Sequence, residues 1–234
     1  SSYLQGRPVL DLVLEALPLT LALTLSALVV AYIFGVIAGA FLAWKRGSVA
    51  EGVAIPLVLA TRAAPEFWLG MILLAIFAFG YGWFPSGGAA SAGSEYGDFE
   101  RFFTLDFLHH LFLPALALAV YLQGLPLLLM RSNMLDVLQE DYVMMARMKG
   151  LPEWRILLLH AARNALLPVV TAFALGLGAS VGGNVVVETV FSWPGLGRVL
   201  VDAVASSDYP LAQGAFMFIA LILIVMNFVA DLLY

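Results

Sequence analysis

The sequence predicts an all-α, polytopic helical membrane protein. Two observations carry the prediction. Of 234 residues, 62% are hydrophobic and only 12% charged, about half the charged share of an ordinary soluble domain. The windows 16–44, 67–94, 111–130, 164–187 and 209–230 contain no Asp, Glu, Lys or Arg. Each is long enough to supply the roughly 20 apolar residues that a bilayer-spanning helix needs. Five spans are therefore expected. The same arithmetic excludes a disordered chain and an ordinary soluble enzyme. The absence of cysteine excludes a disulfide scaffold, thiol chemistry and thiolate metal sites.

The first span covers about 17–44 and is apolar on all sides, as expected of a helix facing lipid or other helices all round. Gly35 and Gly39 form a small-xxx-small pair that permits close approach of a second helix. The second span covers about 53–79. Arg62 and Glu66 stand four apart in it and would share one face of an unbroken helix. They are either a paired helix end, a break around Pro65, or a pore-side gate pair. Residues 80–110 are rich in Gly, Ser and Ala and read as a loop. It closes on Phe99, Phe102, Phe103, Leu105 and Phe107 among acidic residues, an interfacial pattern. The third span covers about 111–130. Pro126 should kink or break it, and Gln123 needs a partner or a watery cavity.

Residues 131–163 form the one substantial polar helical stretch. Met134, Leu138, Tyr142 and Met145 recur every three to four residues as a single apolar stripe. Gly150 ends that helix and Pro152 suits the first turn of the next. The fourth span, about 164–187, concentrates Gly176, Gly178, Gly182 and Gly183 in its second half. An amphipathic segment, 188–208, precedes the fifth span, about 209–230.

Orientation follows from the basic residues of the short loops. With 45–52 and 131–163 in the cytoplasm, seven lie inside: Lys45, Arg46, Arg131, Arg147, Lys149, Arg155 and Arg163. Three, Arg7, Arg101 and Arg198, lie opposite. The positive-inside rule favours this arrangement. It puts the N-terminus outside, the C-terminus in the cytoplasm, and loops 80–110 and 188–208 outside. An external N-terminus without a signal segment predicts a further helix before Ser1, hence six in the full subunit.

Catalytic signatures are missing. There is no HExxH, no GxSxG and no phosphate-binding glycine loop. His109 and His110 are adjacent and do not face each other as helical metal ligands would, so a surface or interfacial role is expected. No basic patch fits a nucleic acid. Met144, Met145 and Met148 resemble an adaptable docking surface more than a copper site. The polar double helix at 131–163 either inserts in a groove of a soluble partner or lies flat on the membrane.

The stretch EDYVMMARMKGLPEWRILLLHAARNALLP at 140–168 resembles the cytoplasmic signature loop of permease subunits of binding-protein-dependent ATP-binding-cassette importers. More narrowly it is similar to the first permease type of the dipeptide, oligopeptide and nickel group. Asp141, Tyr142, Val143, Ala146, Arg147, Lys149, Gly150, His160, Arg163, Asn164, Ala165, Leu166 and Pro168 stand where that pattern expects them. Two more stretches agree in order. Gly6-Arg7-Pro8-Val9 with Leu17-Pro18 and Thr20-Leu21 resembles the lead into the second helix of such a subunit. GGNVVVETVFSWPGLGRVLVDAV at 182–204, followed by Asp208-Tyr209-Pro210, resembles the external loop before the last helix. The general loop's Glu-Ala-Ala is replaced by Met144-Met145-Ala146, which removes an acidic contact found in other permeases.

The resemblance implies a single transmembrane permease domain over 1–234, working as a non-catalytic subunit in a bacterial or archaeal plasma (inner) membrane. It implies a second homologous permease, two cytoplasmic ATPase subunits that use ATP and Mg, and an external solute-binding protein. Asp141, Tyr142, Met145, Ala146, Arg147, Met148, Lys149 and Gly150 would form the helix coupled to the ATPase. The path would be lined by small and polar residues, with Thr61, Gln123, Ser180, Asn184 and Glu188 as candidates. Trp193 and Pro194 would meet the docked binding protein or pack the loop. Peptides are the expected cargo. Nickel or another small solute, and an ion-coupled secondary transporter, stand as alternatives.

Overall fold

The computed structural model describes residues 1–91, 100–180 and 184–233, and is helical wherever it is regular. Helix α1 runs from Val9 to Trp44, about 54 Å at 1.5 Å per residue. After it come α2 (Val49–Ala63) and α3 (Glu66–Leu73), the latter running on as a π-helical stretch, Leu74–Gly80. A 3-10 turn, Glu100–Phe103, leads into α4 (Leu105–Leu122) and α5 (Gly124–Val137). Next are α6 (Asp141–Met148), α7 (Glu153–Arg155), a π-helical turn (Ile156–Ala161) and α8 (Ala162–Ala165). The chain finishes with α9 (Leu167–Ser180), α10 (Val185–Val190), α11 (Leu196–Ala205) and α12 (Tyr209–Leu233).

Five spans were expected, and length and composition single out two to four among the described residues. Only α1 and α4 are long and apolar enough to cross a membrane alone, or up to four spans exist if each bent pair counts as one. Helix α12 is 25 residues long, Tyr209–Leu233. Prolines explain the breaks. Pro65 is extended, with ψ 135, at the cap of α3, and it disfavours helix at Ala64 before it. Of the alternatives for Arg62 and Glu66, the structure has the break around Pro65, and neither residue joins an ion pair among the described residues. At Pro126 the ring displaces the carbonyl of Leu122, so the helix breaks at Gln123, between α4 and α5. The expected single stripe through Met134 and Met145 also fails. α5 stops at Val137, and Met134 is buried while Met145 is exposed on α6.

The chain forms two compact units: Ser1–Leu28 with Ala64–Ala119 and Leu177–Tyr234, and Val29–Ala63 with Val120–Gly176. In the first, the start of α1 packs on α11 and α12 through Val13, Ala16, Leu196, Ala215 and Ile219. Buried Asp208 ties the N-terminal residues to this core. It accepts from the Ser2 hydroxyl, from the backbone N–H of Tyr3 at 3.1 Å and Leu4 at 3.3 Å, and from Leu211 N–H at 3.3 Å in the first turn of α12.

In the second unit the close helix approach foreseen at Gly35 and Gly39 is present. A Cβ at Gly35 would stand 2.8 Å from Pro126 Cγ, and one at Gly39 2.9 Å from Met130 Cβ and against the Leu127 carbonyl. Leu42, Val58 and Leu127 form the adjoining core, and Arg131 Nε donates to Glu51 at 2.7 Å. Gly39→Leu should therefore cost about 3 kcal/mol by overpacking and lower the melting temperature of the purified protein. Gly52→Leu, where a Cβ meets nothing within 4 Å, should leave it unchanged. Equal melting temperatures for the two variants would refute the packing argument.

Candidate functional site

The α6–α7 hairpin is closed by backbone geometry. Gly150 has φ +72, the left-handed conformation that glycine adopts without penalty. Its N–H donates to the Arg147 carbonyl at 2.9 Å, and Leu151 N–H donates to Ala146 at 3.3 Å. These two bonds make a Schellman stop. Pro152, extended at ψ 142, then starts α7. Val143, Ala146 and Ile156 fill the hairpin's core, with Leu151 against them. Asn164 Nδ2 donates to the Tyr142 hydroxyl at 2.7 Å, and Arg147 Nε reaches Glu153 at 3.3 Å across the turn.

This sorts the expected coupling residues. Asp141, Met145, Arg147, Met148, Lys149 and Gly150 are exposed. Ala146 is buried and its carbonyl serves the turn. Tyr142 is half-buried and held by its own hairpin. Met144, also exposed, joins Met145 and Met148 on the outer face. The thioether cluster in the sequence was the signal for it.

The path candidates separate as well. Thr61 and Gln123 line one cavity of about 460 Å³, with Phe34, Ala38, Leu57 and Leu127 among its apolar walls. Asn184 instead caps α10, accepting from Val187 N–H at 3.1 Å and donating to Glu66 at 3.0 Å. The side chain of Ser180, at the end of α9, lies outside the described residues.

Glu188 and Trp193 pack inside the chain. Both are fully buried, because the segment folds back on α1. Glu188 accepts from the Thr20 hydroxyl at 2.7 Å and from Arg198 N–H at 3.0 Å. The Thr20 oxygen accepts Leu196 N–H at 2.7 Å, and Trp193 Nε1 donates to the Leu19 carbonyl at 2.9 Å. Glycines make the room: a Cβ at Gly195 would lie 2.5 Å from Glu188 Cδ, and one at Gly197 2.9 Å from its Oε2. Burial pushes the Glu188 carboxyl up, against the opposing bonds from Thr20 and from Arg198 and Gly197. For Trp193 this is the loop-packing arrangement, while Pro194 stays exposed. Thr20 is the participant that the site prediction lacked. A hydroxyl in an apolar span was its only signal. His110 is also buried, its Nδ1 2.9 Å from the Asp106 carbonyl, whereas a surface or interfacial role was expected. His109 keeps an exposed position, 2.8 Å from the Trp83 carbonyl.

Comparison with known proteins decides the family. The model of the binding-protein-dependent transport system inner membrane component matches residues 31–234. The chain belongs to this family. It is 40% identical to the Di/tripeptide transport system permease protein DppB of Pseudomonas aeruginosa, over 94% of this chain and 69% of that protein. It is equally identical to the Oligopeptide transport system permease protein AppB of Bacillus subtilis, over 98% and 71%. The Dipeptide transport system permease protein DppB of Escherichia coli K12 is 37% identical, over 92% and 68%. Among solved structures, a chain of the inward-facing MetNI methionine ABC transporter superposes with a TM-score of 0.73 at 16% identity. That superposition covers 98% of this permease and 97% of the other chain. The permease thus has the helical fold of an ABC importer's transmembrane component and a multi-pass place in the inner membrane.

Proposed function

We propose that this permease forms half of the translocation path of an ATP-driven importer of di- or oligopeptides. The observation that carries the reading is its likeness, at 36–40% identity over 94–100% of this chain and 69–72% of theirs, to permeases named for peptide transport. A second homologous permease completes the path. An external binding protein delivers the peptide, and two cytoplasmic ATPase subunits bind ATP and Mg and drive the cycle. Residues 131–163 face the cytoplasm, 80–110 and 188–208 face outside, the N-terminus lies outside and the C-terminus inside.

The hairpin at 141–150 is the coupling element in this reading. Its exposed methionines supply adaptable apolar area, and Arg147 and Lys149 supply charge that steers and registers the contact. Its glycine stop returns the chain abruptly to the membrane. Closure of the ATPase pair on nucleotide pushes the hairpins together and opens the path outward; hydrolysis resets it.

The test is gentle extraction of the native assembly followed by intact-complex mass spectrometry. The expected composition is two different permeases, two ATPase subunits and a binding protein that carries peptide. Recovery of the chain alone or as a homo-oligomer under every mild condition would refute the importer role. A binding protein loaded with nickel or another small solute would refute the cargo.

A further inference from the structure

Arg62 stands in the last turn of α2, within an uncharged run that extends from 52 to 65 on either side of it. Its stem lies on Gly124. A Cβ built there would be 2.6 Å from Arg62 Cγ and 3.4 Å from Val58 Cγ1. The bare backbone of Gly124 is what admits the side chain, and it sets Thr61-Arg62 opposite Gln123-Gly124. Arg62 is exposed and has no ion pair or hydrogen bond among the described residues. The Gln123 amide is half-buried and also unpartnered among them. The Thr61 hydroxyl donates its proton to the Val58 carbonyl at 2.9 Å, which leaves its oxygen free to accept. The Gln123 amide and the Thr61 hydroxyl oxygen thus line a cavity of about 460 Å³ with otherwise apolar walls, and Arg62 is the residue after Thr61, its stem against the neighbour of Gln123.

A cation in such surroundings is costly unless water or an anion meets it. The C-terminal end of α2 offsets part of that cost but leaves the five guanidinium donors unused. A carboxylate satisfies them, because its two oxygens match the planar fork. The Gln123 amide pairs equally well with a peptide bond, and the apolar walls suit a side chain. We propose that Arg62 is a transient subsite for the C-terminal carboxylate of the peptide in transit, with the Gln123 amide and the Thr61 oxygen, which can accept an N–H, meeting the adjoining peptide group. The proposal rests on the peptide-permease reading and names the part of the cargo that this chain recognises.

The test uses the complete transporter in proteoliposomes, with its ATPases and binding protein. Uptake of a tripeptide and of its C-terminal amide is measured, each normalised to its own wild-type rate. Arg62→Gln should lower uptake of the free acid about tenfold, as expected for loss of a charge-assisted pair, and leave the amide within about twofold. Arg62→Lys, which keeps the charge without the fork, should fall between. If Arg62→Gln fails to assemble, the acid-to-amide ratio of Arg62→Lys carries the same test. Equal loss of both peptides would overturn the subsite, since a structural role or a pair with an acidic residue of the second permease acts on both alike. No loss of either would overturn it too. A wild-type complex that imports neither peptide overturns the cargo reading itself, and the subsite with it.

Discussion

Glu188→Leu is expected to destabilise the permease by about 3–5 kcal/mol, because it orphans several buried donors at once. The Thr20 hydroxyl and the Arg198 N–H lose their acceptor, in a knot already tightened around the carboxylate by Gly195 and Gly197. Thermal unfolding of the purified complex measures the loss, and a change below about 1 kcal/mol would contradict the assigned role. Glu188→Gln keeps the volume and should cost less. It also isolates the titration. With its pKa raised by burial, the folded Glu188 holds its proton to higher pH than the unfolded chain does. The associated stability is full below the ordinary carboxylate range and is lost as pH rises through the raised folded value. The Gln variant should lack this downward slope. Identical pH profiles for wild type and Glu188→Gln would contradict it.

Gly150→Val should leave the chain folded in the membrane yet uncouple it. A side chain at Gly150 meets nothing within 4 Å, so the penalty is one of backbone alone. A left-handed residue with a Cβ costs about 1–2 kcal/mol, and a β-branched one is the worst case. That shifts the population of the native turn by about 5–30-fold and re-aims the exposed methionines. Substrate-stimulated ATP hydrolysis should fall by a similar factor. Gly150→Asn, which tolerates φ +72 better than other side chains, should retain most of it. Normal stimulation in the valine variant would sink the coupling assignment.

What the sequence made legible was local. Charge-free windows located the apolar segments, Pro65 and Pro126 foretold breaks, and Gly35 with Gly39 marked a close helix approach that the structure contains. The Gly150 stop was equally plain, since its geometry depends on a few consecutive residues. The knot around Glu188 was not legible, because Thr20 and Glu188 are 168 positions apart and no periodicity links them. A glutamate and a tryptophan next to Pro-Gly look like exposed loop chemistry until the fold closes over them. The methionine stripe misled for another reason: a 3.6-residue period continues on paper through Leu138–Glu140, where the helix stops. For Arg62 and Glu66 the break around Pro65 was one of the alternatives the sequence left open, and the structure contains it.

Trp193 gives the knot a further property. Four of the five tryptophans, Trp44, Trp68, Trp83 and Trp154, lie on the surface of the chain, and Trp193 alone is fully enclosed. Its indole is sealed from aqueous quenchers and from lipid-borne ones alike, with its N–H fixed on the Leu19 carbonyl. With the four surface tryptophans replaced by phenylalanine, its emission would report whether this corner of the fold is shut.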